Sequence, residues 1–96
     1  MNSFYNTKQE WVKKHINDLI SEGLKLMGNP ALDDKMYRIW LDYSKQVLEI
    51  STRDYNAAIL LNYLRVIMSI KPQLSPSQKV GICLDYLIGA LRIIQL

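Results

Sequence analysis

The stretch from Ile59 to Gln78 constrains this chain more than any other. Between Ala58 and Ile70 only Asn62, Arg65 and Ser69 interrupt a run of apolar residues, at spacings of three and four. A helix that apolar over most of its circumference must be covered on several sides, so other helices have to surround it. Lys71-Pro72 ends it, because proline disfavours helical geometry at the residue before it. Ser75-Pro-Ser-Gln78 then opens the next helix, with serine at the N-cap, proline at the first helical position and glutamine at the third.

Three further helices complete the pattern. Thr7 to Glu10 fits a capping box, and Val12, Ile16, Leu19, Ile20, Gly23, Leu24 and Met27 recur behind it on one helical face. Gly28 fits a left-handed C-cap. Asn29-Pro30 fits the start of a second helix whose stripe is Leu32, Met36, Ile39, Trp40, Tyr43, Val47 and Ile50, with Asp33 and Asp34 favoured near its first turn. Ser51 to Asp54 fits the cap of the third helix. In the last helix Val80, Cys83, Leu84, Leu87, Leu91 and Ile94 form the core face, while Gly81, Asp85, Gly89 and Arg92 line a narrow small-and-polar strip. The expected helices run over about 7–27, 31–50, 53–71 and 76–95. Short links between helices of similar length predict an all-α, antiparallel up-down-up-down four-helix bundle, one domain over residues 1–96.

Composition narrows the function classes. The net charge of +3 is uneven: residues 1–50 balance seven Lys/Arg against seven Asp/Glu, so the excess lies in the more apolar second half. Arg65, Lys71, Lys79 and Arg92 carry it, too sparsely for a nucleic-acid footprint but well for an acidic partner or anionic lipid. The one cysteine, Cys83, excludes an internal disulfide and fits a reducing compartment. No signal peptide is visible at the start. The seventeen residues from Val80 to Leu96 include Asp85 and Arg92, whereas a membrane span needs about 20 apolar ones. A cytoplasmic protein is expected, with some association at the membrane surface compatible with its charge.

Nothing assembles a reaction centre. His15 is the lone histidine, and a structural metal needs three or four ligands. Cys83 reads as a small buried hydrophobe, and Asp33-Asp34 as a dipole-stabilised helix start whose carboxylates point about 100° apart. No phosphate-cradling loop is present. The expectation is a non-enzyme without metal, cofactor, small-molecule substrate or nucleic-acid partner. Trp11, Trp40, Tyr43 and Tyr63 are expected in the core, while Tyr37, Tyr55 and Tyr86 fall near polar faces as contact candidates. Helices 3 and 4 carry more apolar surface than a bundle stripe requires, which fits either deep burial or a partner surface. The candidate contact residues are Arg65, Lys71, Lys79, Asp85, Arg92 and Leu96.

Four segments resemble the immunity proteins of pediocin-like (class IIa) bacteriocins, the enterocin A immunity family. They are Asp33 to Glu49 with Tyr43, Ser44, Lys45 and Leu48, the run Leu60 to Ile67 around Asn62-Tyr63, the corner Leu74 to Gln78, and Leu84 to Gly89. The similarity spans about residues 16–94. It implies a small, basic, cytoplasmic four-helix bundle that protects a Gram-positive producer. Such proteins act on the mannose-phosphotransferase membrane receptor once bacteriocin has bound it, and their C-terminal half sets which bacteriocin is recognised. Many members continue into a polar tail where this chain stops at Leu96, which moves attention to the faces of helices 3 and 4. The alternative is a phage- or plasmid-encoded helical adaptor or inhibitor of another protein.

Overall fold

Caps and proline stops become four helices in the computed structural model, which describes the backbone of residues 3–52 and 57–95 and the side chains of residues 10–51 and 57–94. They are α1 (Ser3–Met27), α2 (Asp34–Thr52), α3 (Ala57–Ser69) and α4 (Pro76–Gln95). Gly23 of α1 lies against Leu84 of α4 and Met27 against Gly81, so the two helices run antiparallel. α2 and α3 pack beside each other, and each helix touches its two neighbours in the ring. Among the described residues α1 and α3 do not meet, whereas α2 and α4 approach across the other diagonal. This is the expected antiparallel four-helix bundle. Its 25-residue first helix, about 37 Å of rise, sets the long axis of a body 49 × 23 × 18 Å.

Local signals decide where the helices start and stop. The corner before α4 forms the full capping box: Ser75 N–H donates to Gln78 Oε1 at 2.9 Å, and Gln78 N–H donates to Ser75 Oγ at 3.2 Å. Lys71 and Leu74 close a turn over Pro72, and α3 stops at Ser69, two residues before the expected end at 71. The first corner departs from expectation. Asn29 folds into an Asx turn on the Ala31 N–H at 2.9 Å, and Asp33 caps α2 through the Met36 N–H at 2.8 Å. An aspartate three residues ahead of a free N–H satisfies that helix end better than asparagine before proline.

Gly28 is not left-handed. Its N–H still bonds to Leu24 O, and Asn29 N–H bonds to Leu26 O, so the last turn of α1 tightens without reversing hand. α1 begins by Ser3, which puts Thr7 within the helix, and the Thr7 side chain lies outside the described residues. α2 runs on through Thr52, so Ser51 is not the cap of α3. The rest of that expected cap, Arg53 and Asp54, also lies outside the described residues.

The covered helix is α4, not α3. α4 buries Val80, Cys83, Leu84, Leu87, Ala90 and Ile94 and packs on all three other helices, most extensively on α1. α3 buries only Ile59 and Tyr63, and leaves Met68 85% exposed. The described part of α3 lies beside α2 and α4 and turns Leu61, Arg65 and Met68 to solvent. Gly23 explains the closeness of α1 and α4. A Cβ there would sit 2.6 Å from Leu84 Cδ2 and 2.9 Å from Trp40 Cζ2.

The core carries a polar thread. Ser44 donates to Leu41 O at 2.7 Å, which commits its one hydrogen, so the fully buried Tyr63 hydroxyl donates to Ser44 Oγ at 2.6 Å. Tyr63 stacks on Tyr86 with ring centroids 5.4 Å apart, and Tyr86 donates to Ile59 O at 2.6 Å. Trp40 Nε1 donates to Leu19 O at 3.2 Å, joining α2 to α1.

Candidate interaction surfaces

The residues most able to do chemistry are withdrawn into the structure. His15 is half-buried with its ring 4.0 Å from that of Trp11. Cys83 is fully buried; burial pushes its thiol up, partly offset by the neighbouring Tyr63 and Tyr37 hydroxyls. Burial, with Cys83 alongside, holds both those tyrosines far above the ordinary phenol range, and burial raises Tyr86 too. Among the described residues, no three His, Cys, Asp or Glu side chains converge as a metal site would require. What the surface offers instead is apolar and charged relief.

The expected contact residues do not form one cluster. Arg65 is exposed on the outer side of α3 between Leu61 and Met68, and Lys71 is exposed just past its end. Asp85 and Arg92 are exposed on α4, beside an open Gly89. Lys79 is different: its Nζ lies 3.5 Å from Asp34 Oδ1 and 5.7 Å from the Tyr37 ring centroid, with its side chain 14% exposed. It ties the start of α4 to the start of α2 rather than reaching for a partner. Arg92 stands about 20 Å farther along the α4 axis. Leu96 lies outside the described residues. Arg65, Lys71 and Arg92 are thus exposed on α3, just past it and on α4, and Leu61, Met68 and Ile93 are exposed on the same two helices.

A second surface was not anticipated. Between α1 and α2 runs a groove of about 440 Å³ lined by Glu22, Leu26, Met36, Ile39, Trp40 and Tyr43. Ile39 is 63% and Tyr43 48% exposed, and Ile50 and Trp11 are exposed too. Core placement thus holds for Trp40 and Tyr63, and fails for Trp11 and Tyr43. Conversely Tyr37, Leu41, Ser44, Leu48 and Ser51 are buried. They recur at four, three, four and three residues, a seam that spacing alone could have revealed had two serines and a tyrosine been admitted to the core. Tyr55, the other aromatic contact candidate, lies outside the described residues. Between α2 and α3 a groove of about 390 Å³ is lined by Asp42, Lys45, Gln46, Glu49, Leu60 and Leu64.

No described helix is long and apolar enough to cross a membrane. Compared with known protein families, with characterised proteins and with solved structures, the chain gives no match.

Proposed function

We propose that this chain is a bacteriocin immunity protein of the pediocin-like class. It would bind the bacteriocin-engaged mannose-phosphotransferase permease from the cytoplasmic side and so protect the cell that makes the peptide, with no chemistry of its own. The observation that carries this reading is the outer side of α3 and α4. These two helices expose Leu61, Met68 and Ile93 as well as Arg65 and Arg92, with Lys71 exposed just past α3, and the resemblance implies recognition by this half of the chain. A mixed apolar and cationic surface suits a protein partner at an anionic membrane face. Lys79 drops out of the contact set because Asp34 already holds it.

Expression in a bacteriocin-sensitive Gram-positive strain, challenged with a panel of class IIa peptides, tests the reading. Survival is expected to rise against one or a few of them, and no protection against any would overturn it. Reversing Arg65 and Arg92 to glutamate is expected to lower protection while circular dichroism stays unchanged, since both side chains are exposed. The second reading, a helical adaptor or inhibitor of another protein, is favoured by the α1–α2 groove. Recovery of a soluble enzyme rather than the permease from a Gram-positive lysate would select it.

A further inference from the structure

We propose that the α1–α2 groove is a docking site for a cationic amphipathic helix of a partner protein, on the side of the bundle opposite α3 and α4. The proposal goes beyond the immunity reading and does not depend on it. Three observations bear on the occupant. The floor and walls are apolar or aromatic: Leu26, Met36, Ile39, Trp40 and Tyr43. Among the lining residues the one charged group is the Glu22 carboxylate. The apolar edge of α2 runs from half-buried Met36 through exposed Ile39 and Tyr43 to exposed Ile50, about 21 Å, or four turns of a helix.

A furrow between two antiparallel helices accepts a third helix along its length, with side chains at i, i+3, i+4 and i+7 as anchors. The charge decides what kind. A second copy docked about a two-fold axis would bring the same carboxylate, each with its own Lys25, from both sides and so gain no new complementary charge. An anionic lipid surface would meet that carboxylate unfavourably as well. A lysine or arginine at the edge of an incoming apolar face meets it favourably. Glu22 is not locked away, since its contact with Lys25 at 3.4 Å is between two exposed side chains. Such surface pairs exchange partners at little cost.

The test uses the full chain and two synthetic peptides of about 14 residues, both with leucine at the anchor positions, one with lysine and one with glutamate elsewhere. Amide chemical shifts are followed at low salt. The lysine peptide is expected to bind about tenfold or more tightly than the glutamate one, with the largest shifts at Leu26, Ile39, Tyr43 and the Trp40 indole. Ile39→Asp, at a solvent-facing position that leaves the fold intact by circular dichroism, is expected to weaken binding about tenfold. Glu22→Gln is expected to narrow the preference between the peptides without abolishing binding. Equal affinity for both peptides, shifts confined to α3 and α4, or an Ile39→Asp variant that binds unchanged would overturn the proposal. So would sedimentation showing that the groove is filled by a second copy, or groove-dependent binding to phosphatidylglycerol vesicles.

Discussion

Two glycines in this bundle have opposite reasons to be there. At Gly23 the Leu84 and Trp40 side chains already occupy the space a methyl group would need, 2.6 Å and 2.9 Å from the added carbon. Gly23→Ala is therefore expected to separate α1 from α4 and cost about 1–3 kcal/mol, read as a lower urea midpoint. At Gly89 nothing lies within 4 Å, and the residue is exposed within α4. There the glycine contributes only backbone freedom in the unfolded chain, so Gly89→Ala is expected to stabilise by roughly 0.5–1 kcal/mol and raise the melting temperature. Opposite signs from the same substitution on two helices test the packing directly, because helix propensity alone would make both stabilising.

Among the elements, α4 is the one whose boundaries and core face the sequence states most fully. Its capping box forms between Ser75 and Gln78, and Ser75→Ala is expected to cost about 1 kcal/mol in thermal unfolding. Gln78→Ala added to it should cost less than its separate effect, since the two side chains share one motif. The core residues expected on α4 are all buried or half-buried. α2 was harder to read. Of its expected stripe Trp40 and Val47 are buried, but Ile39, Tyr43 and Ile50 face solvent, and Tyr37, Leu41, Ser44 and Leu48 are buried in their stead. Polar atoms explain the error: Ser44 is buried because Tyr63 needs an acceptor there, a need visible only once α2 and α3 are paired. The same error hid the α1–α2 groove, since residues assigned to the core cannot be offered as a surface. α3 misled in the other direction, as its hydrophobicity suggested a centre, whereas its described residues bury only Ile59 and Tyr63. Candidate cations were legible as positions, but the engagement of Lys79 with Asp34 and Tyr37 was not, because it joins residues 45 apart in the chain.

For the molecule as a whole, alkaline pH dependence follows from four acids, three buried and Tyr86 half-buried. Tyr37, Tyr63 and Tyr86 sit above their ordinary value of 10.0, and Cys83 above 9.0. All four are neutral in both states at neutral pH and add no slope there. As pH rises past about 9, the unfolded chain releases these protons first, the thiol ahead of the phenols, and the folded state loses ground. Stability from these groups is thus full below about pH 8 and declines through the alkaline range, which urea midpoints between about pH 7 and 11 will show. Tyr63→Phe should flatten part of the decline above about pH 10, since the phenol held highest is then gone.

The most extensive helix contact joins the first element to the last. During synthesis, Val12, Ile16 and Leu19 therefore lack most of their cover until α4 is complete, roughly 70 residues after α1. At ordinary elongation rates that is roughly 3–14 s in which an apolar stripe faces solvent or chaperones. A nascent fragment ending at the proline corner is therefore expected to be held or degraded rather than stored half-built.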